Sequence, residues 1–409
     1  MSCVWRSRPA FVLIVLIALF GMSPPAVRAD GGAPVVAYVL GAGASGRDLA
    51  VIGIAARKVV ARVALDSLPA AIALRGDSQV IYVAEPDANH VLALDATTLR
   101  PQTTMAAGAG PDALVVDTAV TGNLFVADGA SDTVTVLDVG TGRVRATVHV
   151  GAHPAGIAIA GQTSGIREAG DAEVYVAVTG ANVVVVLSAS SRQILATIPV
   201  PGGPGSVVVP ATGGVAYVGT RSGTVVAVDV ATHTVLGVAL ALHSGALGQM
   251  DYDAITGQIY IPDAAGDVVN VLRPVPAPTG GGSPRFPSEP AAIYALAGGP
   301  TAIAITSDGA YGFVTAGRTG RVAMVDVAAH QTLATIAVGG SPRAVVTGPY
   351  LPLVGAAGGG GAGISRQAIL LGIVVFALVA FIVWALLAVL WWRGIIGRRV
   401  PDAGSSSET

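Results

Sequence analysis

Cysteine is almost missing from this 409-residue chain, with Cys3 standing alone. A disulfide framework, a thiol nucleophile and a cysteine-based zinc site are therefore excluded from everything beyond the first residues. Lysine is nearly as rare, Lys58 against 22 arginines, which reads as a coding bias without functional content. Tryptophan occurs only as Trp5, Trp384, Trp391 and Trp392, at the two ends of the chain. The long middle thus offers no indole for a quinone cofactor or an aromatic glycan platform, and no cofactor is expected. Basic charge is in deficit too. Between Asp30 and Ser365 there are 16 basic and 23 acidic residues, a net of −7, the wrong sign for nucleic acid. The six histidines, His90, His149, His153, His233, His243 and His330, show no zinc-type spacing, and no metal site is expected.

What is present is a repeat. An aromatic followed by a β-branched residue recurs seven times: Tyr38-Val39, Tyr82-Val83, Phe125-Val126, Tyr175-Val176, Tyr217-Val218, Tyr260-Ile261 and Phe313-Val314. The steps are 44, 43, 50, 42, 43 and 53 residues. A period in the low forties with strand composition and little helix signal marks a β-propeller blade. Two further landmarks keep the phase. Asp95, Asp138, Ser188, Asp229, Arg273 and Asp326 follow the aromatics by 12 or 13 residues, with Gly53 at 15 in the first repeat. Pro69, Pro111, Pro204 and Pro300 precede them, with Pro154 displaced by an insertion.

Each unit reads as four strands: A after the proline, B with the aromatic, C ending at the Asp position, and D. The first unit begins at strand B and lacks strand A, while Arg343 to Thr347 is a strand A without followers. Pairing the two closes a ring of seven blades and removes the exposed edges that invite aggregation. The composition, 52% hydrophobic with 12% charged residues, suits strands buried on both faces between blades. The repeated Asp residues precede turn sequences such as Val139-Gly140-Thr141-Gly142, where a carboxylate closes an Asx turn. Mid-strand aromatics in alternating patterns belong to the core. Gly41 to Gly46 matches the dinucleotide fingerprint, but strand sequence follows it where a helix is required, so it reads as a B-to-C loop.

The ends locate the ring. Arg6 and Arg8, the apolar run 10–20 and Val27-Arg28-Ala29 predict a signal peptide over 1–29 with cleavage after Ala29. The domain plan continues with a propeller over 30–349, a Gly-rich linker over 350–367, a transmembrane helix over 368–392 and a tail over 393–409. Ala368 to Trp392 is 25 uninterrupted apolar residues, enough to span a bilayer. Arg393, Arg398 and Arg399 follow it, predicting a single-pass cell-membrane protein with its ectodomain outside and its C-terminus cytoplasmic.

Segments such as Leu124-Phe125-Val126-Ala127-Asp128, Thr133 to Asp138, Ala146 to Gly151 and His153 to Ala158 resemble the YVTN family of β-propeller repeats, related to NHL and WD-repeat propellers. The resemblance spans about residues 35 to 347 and implies surface or exported propellers, without an activity. Ser188 and Arg273 at the Asp position, and the weak strand A over 245–252, depart from the pattern and are expected to weaken those blades' turns.

Loops D to A and B to C should share one face, here called the top; loops A to B and C to D the other, the bottom. The closing strand delivers the chain to the bottom, so the bottom faces the membrane and carries both insertions, 161–172 and 273–290. The outward top face is expected to bind a protein or an envelope polymer, making the molecule a membrane-anchored binding or scaffold module. An extracellular lyase- or lactonase-like enzyme and a structural envelope component are the alternatives. Residues assigned to the binding face are Asp112, His153 and Arg343 at strand A starts, with Asp128, Asp132, Arg221, Asp263 and Asp267 in top loops. Asp66 and Thr301 complete the expected channel mouth. No catalytic set is singled out.

Overall fold

The computed structural model describes residues 35–349 apart from 118–120, 161–171, 211–213, 243 and 276–283. Within them the chain forms seven four-stranded antiparallel sheets, one per sequence unit. The inner strands A are Ala71–Leu74, Pro111–Asp117, Pro154–Ala160, Pro204–Val208, Asp251–Tyr252 and Pro300–Ile305 in blades 2 to 7. Blade 1 takes its inner strand from the far end of the chain. Ala344–Gly348 pairs antiparallel with Val36–Ala42, placing Val346 opposite Tyr38. This is the expected closure. It joins residues some 300 positions apart by main-chain hydrogen bonds, and it leaves the ring without an inner gap.

Alternation along strands B and C sends side chains to both neighbouring blades, so both faces are buried. Seven apolar clusters result, one at each blade boundary. Ala37 and Val39 of blade 1 pack with Phe313 and Met324 of blade 7, while Tyr38 and Leu40 on the opposite face pack with Ile81 and Leu94 of blade 2. All seven repeat aromatics are buried, none more than 2% exposed. Large rings are accommodated because the adjoining positions are Ala, Gly and Val, which let sheets stack closely. The tyrosines also find polar partners at the bottom rim. The Tyr38 hydroxyl donates to the Ala96 carbonyl of blade 2 at 3.3 Å, and the Tyr175 hydroxyl donates to Glu173 at 2.8 Å.

The Asp positions close turns as expected. Asp95 accepts from the N–H groups of Thr97 and Thr98, and Asp138 from those of Gly140 and Thr141. The expected weakening at Ser188 is not seen. Its hydroxyl accepts from the Ser191 N–H at 2.9 Å, because a hydroxyl oxygen closes the same turn.

The weak strand A of blade 6 is where the ring departs from regularity. Asp251–Tyr252 pairs with strand B as a ladder, and Leu247 meets Asp263 of that strand in an isolated bridge. Between them the chain bulges sideways, and Gln249 forms a parallel bridge to Ala302 on the inner strand of blade 7. The Gln249 N–H donates to Thr301 O at 2.9 Å, and the Ile303 N–H donates to Gln249 O at 3.2 Å. Glycine permits this, since a Cβ on Gly248 would collide with the Thr301 carbonyl.

The signal segment, the linker and the expected span over 368–392 lie outside the described residues, and so do 161–171 of the first insertion and 276–283 of the second. Among the described residues no helix is long and apolar enough to cross a membrane. The flanks of the second insertion reach over blade 5. The Val275 N–H donates to the Tyr217 hydroxyl at 2.8 Å, and Phe286 packs at Gly237.

Candidate functional site

Hydrogen bonds confirm which loops share a face. The D-to-A loops bond to the B-to-C loops, building the top. The last residue of a B-to-C loop is left-handed and carries a short acceptor: Asn89, Asp132, Asn182 and Asp267, with φ between 53° and 59°. Asn and Asp tolerate this region, and their side chains then reach the next D-to-A loop. Asn89 accepts from the Gly110 N–H at 2.9 Å, Asp132 from the His153 N–H at 3.0 Å and Asn182 from the Gly203 N–H at 2.9 Å. Asp267 accepts from the N–H groups of Gly298 and Gly299 and also from Arg318. These donors hold its carboxyl below the usual range, the Gly299 N–H most strongly. The top is thus a clamped polar rim. Asp132 and Asp267, expected as contact residues, spend hydrogen-bonding capacity on the clamp.

Asp128 and Asp263, also expected on the binding face, end strand B and are buried. Asp128 accepts from the Thr135 hydroxyl at 2.6 Å and from the Gly108 N–H at 3.1 Å. Burial raises its carboxyl, and these donors oppose the shift. Asp263 accepts from the N–H groups of Ala265 and Gly266, closing its own hairpin. Both face inward because the carboxylate captures nearby donors, those of the D-to-A loop and strand C for Asp128 and those of its own turn for Asp263, which removes it from the surface.

The exposed members of the expected set are Asp112, His153, Arg221 and Arg343. Asp112 sits at a bulge, since the register of blade 3 shifts between Pro111 and Ala113. The same shift recurs in blades 4, 5 and 7, so the inner strand bulges at the residue after its proline, and in blade 3 that residue lines the cavity. Asp112 lies over Gly129, where a Cβ would collide with its carboxylate. Its carboxyl is raised by the enclosing wall, and the charges of His153 and Arg221 oppose that. Three of the predicted residues, from blades 3, 4 and 5, are therefore brought within electrostatic reach. Arg343 contributes its N–H to the Leu40 carbonyl at 3.1 Å, anchoring the closing strand.

Below the mouth is an axial cavity of about 470 Å³, lined by inner strands of six blades. At the level of the aromatics, the residues opposite them on the inner strands are Val346, Ala73, Val115, Ala158, Val208, Asp251 and Ala304. Six are apolar and one is a carboxylate. Asp251 is half-buried against the cavity, and its Oδ2 accepts from the Ile305 N–H of blade 7 at 2.7 Å. Burial pushes its carboxyl up to about 6, with the nearby Asp253 acting in the same direction. The sequence reading missed Asp251 and Gln249 as channel residues. The signal available was an acid at the strand-A level of Tyr260, where the other repeats have Ala or Val. Among the described residues no group of three or more His, Cys, Asp and Glu side chains is placed to hold a metal.

No family model and no curated protein matches the chain. Solved structures do. Hydrazine synthase of Kuenenia stuttgartiensis is 18% identical with a TM-score of 0.57, covering 68% of this chain and 89% of that one. The β-propeller domain of Cps50 (Swd1) from Myceliophteria thermophila is 10% identical, TM-score 0.58, covering 70% and 91%. A candidate 6-phosphogluconolactonase from Bacteroides fragilis is 15% identical, TM-score 0.58, covering 76% and 97%. At such identities the likeness concerns the fold, here a seven-bladed propeller, and propellers host unrelated activities.

Proposed function

We propose that this seven-bladed propeller is a YVTN-type binding or scaffold module, tethered to the cell membrane through 368–392, whose outward top face recognises a protein or an envelope polymer. The observation that supports this reading most is the clamped top rim. Loops fixed by Asn89, Asp132, Asn182 and Asp267 lose little freedom on binding, and the rim carries both charge signs, which favours specific recognition. The tether direction supports the same face, since the closing strand ends at the bottom. The experiment is capture from envelope extracts with charge reversals at Arg221 and Arg343, both exposed. Arg221→Glu and Arg343→Glu together should reduce capture at least tenfold with an unchanged melting temperature. Retained capture with both reversals rejects the top face.

The approach of Asp112, His153 and Arg221 at the channel mouth favours a second reading, an extracytoplasmic lyase or hydrolase using the histidine as base and the arginine as anion clamp. Loss of a screened activity in His153→Ala, with capture unchanged, would support it.

A further inference from the structure

Among the described residues the cavity wall contains two carboxylates, Asp112 and Asp251, and no basic side chain. Their situations differ. Asp112 at the mouth is compensated by Arg221 and His153. Asp251 has no such neighbour among the charges acting on it, since the only one is Asp253, of like sign. A partly buried acid without a counter-charge costs free energy that an apolar residue would avoid. The other six inner strands build the same level with Ala and Val.

We propose that the axial cavity is a binding site for a small organic cation, an ammonium group on an apolar body, with Asp251 as counter-ion and the Ala, Val and Ile wall as the seat of the body. A bare metal ion fits less well. Divalent cations want several oxygen or nitrogen ligands, and the described residues bring no such group together. An ammonium needs one carboxylate and donates to few acceptors, and an alkyl or cycloalkyl body gains from each apolar area it buries. The volume of about 470 Å³ lies within the range of small-molecule sites. This site lies below the top-loop surface and meets it at Asp112, and it stands whether or not a macromolecular partner binds at the loops.

The test uses the full-length protein and three probes that share a cyclohexyl ring: cyclohexylamine, cyclohexanol and cyclohexanecarboxylate. Calorimetric titration at pH 7.5 should show binding of the amine at least tenfold tighter than that of the alcohol, and none of the acid. Asp251→Asn should remove the preference of amine over alcohol, while Asp112→Asn leaves most of it. Both variants should keep the cooperative melt of the parent, since an asparagine oxygen still accepts from Ile305. If Asp251→Asn fails to fold, Ala73→Leu, at a partly buried lining position on the inner strand of blade 2, should narrow the cavity and weaken amine binding instead. Equal binding of amine and alcohol overturns the proposal, as does an amine preference that survives Asp251→Asn or a protein that binds none of the three.

Discussion

A single residue illustrates how burial couples this ring's stability to pH. Asp251 has a folded-state carboxyl raised to about 6, above the ordinary aspartate value of about 3.9 in the unfolded chain. The folded state therefore binds the proton more tightly. The stability this contributes is fully present below about pH 4 and is lost as pH rises through about 6, a difference on the order of 1–3 kcal/mol. Asp251→Asn should leave acid stability near that of the parent and stabilise the protein above pH 7. Melting temperatures measured from pH 4 to 8 would show the two curves diverging with rising pH; parallel curves would mean that the acid is well solvated. Asp138 at a bottom turn behaves in the opposite way. The Thr141 N–H and then Arg145 hold it down at about 2, so its contribution is present above the unfolded value and fades only toward pH 2.

At the scale of elements, the top hairpins show one solution reached by Asn and Asp alike. In four of the blades the left-handed residue at the end of the B-to-C loop adopts positive φ and accepts a hydrogen bond across to the next loop. Asp132→Asn satisfies both demands and should be nearly neutral. Asp132→Ala loses the acceptor for the His153 N–H and strains the backbone, for a cost of about 1–3 kcal/mol. Urea unfolding of the two variants separates these outcomes, and equal midpoints would mean the clamp is cosmetic. The blade-core aromatics answer to different physics. Phe125→Ala removes a fully buried ring between blades 3 and 4 and should cost about 3–5 kcal/mol, read from the same titrations.

For the whole molecule, closure decides cooperativity. Each blade buries its faces only against neighbours, so an open ring would leave two apolar faces and two strand edges exposed. Removing 341–349 deletes the inner strand of blade 1, uncovering Tyr38, Val39 and Leu40. The truncated chain should aggregate or lose its sharp melt in light scattering and calorimetry. A soluble truncation with the parent melting temperature would overturn the closing role of this strand.

The sequence by itself determined the number of blades, their phase and the closing partner, because period and alternation are written into local composition. Tyr38 to Phe313 recur in phase whatever their surroundings, and the unmatched first and last half-units leave one pairing that removes both edges. The Asx turns were legible for the same reason, since Asp138 and Gly140 are neighbours in the chain. The site was not. Asp128 and Asp132 look alike as loop acids, and only the ring shows one buried under Thr135 and the other reaching across to His153. The convergence of Asp112, His153 and Arg221, and the lone acid of the axial ring, depend on seven distant strands meeting around one axis. No local pattern encodes that meeting, because the distances and the solvation that set a carboxylate's charge arise only once the ring is closed.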